Sequence, residues 1–116
     1  MAVSAQFNAF VLDLLGAVCD VTARRMFGGV GYYSEGKFFA IADDDVLYFR
    51  VDTSSRTHYE SEGMSAFAPM GPGTKSMSYF TLPARLYDDT EELAVWVRRA
   101  VHAARAGNKP RSDRRS

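Results

Sequence analysis

Phe7, Phe10, Val11, Leu14, Leu15 and Val18 fall at i, i+3, i+4, i+7, i+8 and i+11. That spacing puts them on one face of a helix. Ser4 stands where an N-cap hydroxyl can accept an orphan backbone N–H, so a helix is predicted from about Ala5 to Asp20. The pattern then changes period. Leu47, Phe49 and Val51 alternate with Val46, Tyr48 and Arg50, which is the signature of a strand with one buried face. Ser34-Glu35-Gly36-Lys37 and Asp43-Asp44-Asp45 interrupt apolar runs and read as turns. Three antiparallel strands are expected, at about 29–34, 37–43 and 45–51.

A short helix follows from Ser54 to Glu62, capped by Asp52 or Thr53, with Gly63 placed for a left-handed C′ position. Met64 to Met70 and Met77 to Leu82 read as two further strands around the Gly71-Pro72-Gly73 loop. The last helix is expected to start near Pro83 or, more firmly, at Asp88/Asp89, where acids suit the positive dipole end. Leu93, Trp96, Val97, Ala100, Val101 and Ala104 form its apolar face. The α-β-α-β-α order predicts an α+β two-layer sandwich. It has an antiparallel sheet of about five strands, with helices mainly on one face.

Composition fits one soluble globular domain. The chain has 116 residues, of which 47% are hydrophobic and 13% aromatic. Formal net charge is zero, from 14 Lys+Arg against 14 Asp+Glu. The balance hides an asymmetry. Residues 107–116 carry Lys109, Arg111, Arg114 and Arg115 against Asp113, a net of +3, which leaves residues 1–106 at −3. The division expected is a folded domain over 1–106 and a disordered basic tail over 107–116, since the tail has little to bury. Cys19 is the single cysteine, which excludes an intrachain disulfide and a Cys-rich zinc site. The N-terminal stretch lacks a signal peptide's positive start, and its apolar run is too short to span a bilayer. A cytoplasmic setting without membrane contact is expected.

Candidate chemistry is sparse. Gly71-Pro72-Gly73-Thr74-Lys75-Ser76 has Thr before Lys and a strand after Ser, so it is not a phosphate loop. Gly28-Gly29-Val30-Gly31 opens a strand, whereas a dinucleotide fingerprint opens a helix. His58 and His102 lack a third ligand, and nothing in the sequence activates Cys19. No metal, cofactor or catalytic residue is assigned. Arg24 and Arg25 differ in kind. On a regular strand they point to opposite sides, one free for a structural ion pair and one for a phosphate or acidic partner. Candidate binding residues are therefore Arg24, Arg25, Lys75, Lys109, Arg111, Arg114 and Arg115.

The run Arg24-Arg25-Met26-Phe27-Gly28-Gly29-Val30-Gly31-Tyr32-Tyr33, then Gly36-Lys37-Phe38-Phe39-Ala40, resembles the N-terminal domain of the TfoX/Sxy family. The resemblance continues through Asp45–Asp52, Gly63–Phe67 and Met77–Phe80 to the acidic helix start before Trp96. It covers roughly 6–104. Arg50 stands where the family often has Lys, which keeps the charge. Met26, Phe27, Gly28 and Gly29 form the family motif, with a structural role expected. The resemblance implies a compact α+β unit of bacterial competence regulators that act with the cyclic AMP receptor protein at promoters. Here that domain is expected to stand alone, without their C-terminal helical domain. The leading expectation is a non-enzymatic regulatory or interaction module contacting a transcription-related protein or DNA, with homodimerisation left open. The alternative is a small-ligand or enzymatic α+β domain with Tyr32, Tyr33, Tyr48 and Tyr79 as the wall of an aromatic pocket.

Overall fold

Ser4 caps the first helix as its position requires, its Oγ accepting the Phe7 N–H at 3.0 Å. The computed structural model describes residues 3–26, 28–68 and 76–107. Helix α1 spans Ala5–Gly16 and ends earlier than its apolar spacing suggests. Gly16 is a poor helix former, and the chain must turn to enter strand β1, Thr22–Met26. Then come β2 (Gly29–Ser34), β3 (Lys37–Asp43) and β4 (Val46–Arg50). Helix α2 (Thr53–Ser61), β5 (Ala66–Phe67), β6 (Ser76–Thr81), a 3-10 turn (Ala84–Asp88) and helix α3 (Thr90–Gly107) complete the order.

The fold is α+β, with one antiparallel sheet in the order β1-β2-β3-β4-β6-β5. Among the described residues it holds six strands, against the about five expected. The extra strand is β1, where Thr22, Arg24 and Arg25 mask a strand period. β1 is an edge, and its guanidiniums discourage a second sheet from pairing there. Both tight turns use left-handed residues: Glu35 and Gly36 between β2 and β3, Asp44 and Asp45 between β3 and β4. Asp45 also ties the sheet to α1, its Oδ1 accepting the Ser4 N–H at 2.8 Å. Asp52 caps α2 in a reciprocal box with Ser55, and Gly63 closes that helix region at φ +74°.

One face of the sheet carries the core. Val30, Tyr32, Ala40, Ala42, Leu47, Phe49 and Phe80 are buried there with Val11 and Leu15 of α1 and Leu93, Val97, Ala100 and Ala104 of α3. Tyr59 of α2 joins them, edge-on to Trp96 at 4.6 Å. Burying a large apolar side chain here contributes about 1.5–3 kcal/mol. Outside this core, Arg85 bridges Glu62 and Glu92, linking the end of α2 to α3.

Candidate interaction surface

A bulge decides what the second sheet face displays. Tyr32 pairs with Ala40, but Tyr33 pairs with Phe38, so Phe39 is an extra residue on β3. Phe39 and Ala40 are both fully buried, and Phe39 meets Phe49 edge-on at 5.7 Å. Phe38 is thereby sent to the opposite face. There its ring stacks on Tyr33 at 5.1 Å and leans on Tyr79 at 5.9 Å. Tyr48 meets Phe67 at 4.7 Å. All of these ring contacts run from strand to strand. Tyr79 is only 8% exposed, yet it stands apart from the main core cluster.

Two guanidiniums cover these rings. Arg24 Cζ lies 6.0 Å from the Tyr33 centroid and Arg50 Cζ 5.4 Å from that of Tyr79. Arg50 Nη1 also donates to Tyr79 Oη at 3.5 Å, while its buried Nε has no hydrogen-bond partner among the described residues. Neither arginine has a carboxylate partner among the described residues. Arg24 pairs across β2 with Gly31, and Met26 roofs the same glycine. A Cβ at Gly31 would lie 2.8 Å from Met26 Cε and 2.8 Å from Phe38 Cε1. The missing side chain lets those two groups close over the strand. On the far side of the β3–β4 hairpin, burial raises the Tyr48 phenol, and Asp43 and Asp44 push it the same way.

Arg25 is exposed and faces the other way. It pairs with buried Val30 and lies near the Tyr32 hydroxyl, which donates to Asn8 Oδ1 at 2.7 Å. Burial pushes the Tyr32 phenol up to about 12, against the opposing pull of Arg25. The two candidate arginines are thus separated by the sheet. Gly28 takes φ +81°, and a Cβ at Gly29 would lie 2.6 Å from the Ala42 carbonyl oxygen. Phe27, Lys75, Lys109, Arg111, Arg114 and Arg115 lie outside the described residues, as does all but Gly107 of the tail expected over 107–116.

The four tyrosines do not line one pocket. Tyr32 is in the core, while Tyr33, Tyr48 and Tyr79 share the opposite face. Cys19 is half-buried, its Sγ donates to the Leu15 carbonyl at 3.4 Å, and burial raises its pKa, the reverse of an activated thiol. Among the described residues no group of three His, Cys, Asp or Glu is placed to hold a metal, and no helix is long and apolar enough to cross a membrane. Sequence reasoning missed Arg50 and Phe38 as surface groups. The alternation in β4 carried the signal for Arg50, and the bulge hid Phe38.

The TfoX N-terminal domain matches residues 13–104. The chain belongs to the TfoX N-terminal domain family. That span runs from within α1 into α3 and contains the whole aromatic–arginine face. No curated protein matches the chain. Within the matched span, Met26, Gly28 and Gly29 lie where the chain passes from edge strand β1 into β2.

Proposed function

We propose that the chain is a non-enzymatic regulatory module that binds a protein of the transcription machinery through the face bearing Arg24, Tyr33, Phe38, Arg50 and Tyr79. The observation that carries this is the pair of guanidiniums laid on tyrosine rings without carboxylate partners among the described residues. Tyr, Phe, Met and Arg are the residue types enriched in protein interfaces, and Arg and Tyr dominate binding hot spots. The folded region is otherwise acidic, so a partner carboxylate is steered to this face by Arg24 and Arg50. The resemblance to competence regulators supports transcription as the setting, with the cytoplasm as its compartment.

The test starts from the intact chain, tagged in its native host. A transcription protein captured by it is then purified and titrated against wild type, Arg50→Glu and Phe38→Ala. The reading expects direct binding that falls at least tenfold (roughly 1.4 kcal/mol) in both variants at unchanged melting temperature. Equal binding by Arg50→Glu refutes the surface. A gel shift at low salt adds a second arm. Salt-sensitive DNA binding that survives both substitutions but is lost on deleting 107–116 would make the tail, and not a protein-binding face, the working part. Self-association of the pure chain abolished by the same substitutions would replace the transcription partner with a second copy.

A further inference from the structure

A cleft of about 360 Å³ lies between α2 and α3, on the helical side of the molecule and away from the aromatic face. Ser54 and His58 of α2 and Arg98, Arg99 and His102 of α3 line it, with Asp52 at the cap. We propose that this cleft binds the phosphoryl group of a small phosphomonoester.

The charges carry the argument. Arg98 is exposed and has no carboxylate partner among the described residues. Arg99 is positioned by Trp96, with its Cζ 5.6 Å from the ring centroid. Trp96 is itself anchored, its Nε1 donating to Glu92 Oε2 at 3.1 Å. His102 follows Arg98 by one helical turn, and His58 faces them from α2 with its ring 6.3 Å from that of Trp96. Among the described residues the one carboxylate lining the cleft is Asp52. Its Oδ1 already accepts the Ser55 N–H at 2.9 Å and the Ser54 hydroxyl at 3.0 Å, so it serves the helix cap. Two guanidiniums therefore face that engaged carboxylate, and the Glu92 charge that also reaches Arg99 is already bridged by Arg85.

A phosphomonoester dianion fits that excess. Its three terminal oxygens accept several charge-assisted hydrogen bonds at once, and guanidiniums match their geometry. A cleft of this volume lies within the range of small-molecule sites. The Val95 side chain supplies an apolar wall for the ester's organic part.

The proposal is tested on the full chain with inorganic phosphate and phenyl phosphate, against chloride at matched ionic strength. The readout is the NMR resonances of the His58 and His102 imidazoles. Expected are saturable shifts of both imidazoles with phosphate and phenyl phosphate, tighter for the ester. Arg98→Ala should weaken binding about tenfold with an unchanged melting temperature. Arg99→Gln should weaken it too. Shifts that never saturate or match the chloride control overturn the site, as does full affinity in Arg98→Ala. A DNA duplex that moves the same imidazoles at lower concentration than phenyl phosphate would replace the small ligand with a nucleic-acid backbone. Neither the aromatic face nor its partner enters this test, so the two proposals stand or fall separately.

Discussion

Alanine at Gly29 and at Gly31 separates what close backbone packing in β2 does for the fold from what it does for the aromatic face. Neither glycine has a positive φ, so an added Cβ brings no dihedral strain and tightens the unfolded chain by about 0.4–1 kcal/mol. The steric terms differ. At Gly29 the Cβ would sit 2.6 Å from the Ala42 carbonyl oxygen. Ala42 pairs with both Val30 and Leu47, so this oxygen cannot retreat without opening the β2–β3–β4 ladder. Overpacking of this kind costs about 1–3 kcal/mol, so Gly29→Ala should lose a net of roughly 1–2 kcal/mol. At about 4–8 °C per kcal/mol for a domain of this size, the melting point should fall by some 5–15 °C. At Gly31 the obstacles are the tip of Met26 and the edge of Phe38, both side chains on the open face. Met26 can turn aside, so Gly31→Ala should cost less than about 1 kcal/mol. It should nevertheless disturb the Tyr33–Phe38 stack and weaken partner binding. Thermal unfolding measures the first effect, and near-ultraviolet circular dichroism the second. A wild-type melting point in Gly29→Ala, or equal destabilisation by both changes, would refute this reasoning.

Further outcomes follow from single groups. The Tyr59 hydroxyl is buried without a hydrogen-bond partner among the described residues, so Tyr59→Phe should raise stability by about 1 kcal/mol, read as a higher urea midpoint. Asp52→Ala removes the α2 capping box and should cost about 1 kcal/mol at neutral pH. Asp52 is held below its usual pKa chiefly by the Ser55 N–H. Its contribution should be complete above about pH 4 and lost as pH falls through the lower folded value, so the variant's acid limb should be flatter. Burial raises Tyr32 to about 12 and raises Tyr59 as well. Both folded pKa values exceed the unfolded value of about 10, so the stabilisation is complete below that pH and declines as pH rises above it, through about 12 for Tyr32. Melting temperature and phenolate absorbance should change together over that window, and Tyr32→Phe should reduce the loss.

Local signals placed most elements because each rests on a few neighbouring residues. Ser4, Asp52 and Gly63 mark helix ends through hydrogen bonds or dihedrals that span at most four positions. The alternation of Leu47 and Phe49 against Tyr48 and Arg50 survives in β4 because both neighbours pair regularly there. Strand β1 was not legible for a physical reason. An edge strand buries little, so Thr22, Arg24 and Arg25 show no period-two pattern, and its pairing with β2 identifies it.

The face we assign to partner binding depends on a register that no local window contains. Read by strict alternation, Phe38 and Ala40 lie together, with Phe39 opposite them. That reading would give the core Phe38 and expose Phe39. The inserted residue instead directs Phe39 and Ala40 into the core together, leaving Phe38 to join Tyr33 and Tyr79. Arg24 reaches this group from the sheet edge and Arg50 from the central strand β4, although 26 positions separate them in the sequence. A candidate list built on consecutive residues therefore joins Arg24 to Arg25, which the sheet separates. It leaves out Arg50, which the sheet places on the same face. The unit of function proposed here is a sheet face, and its composition is set by cross-strand pairing more than by the motif that identifies the family.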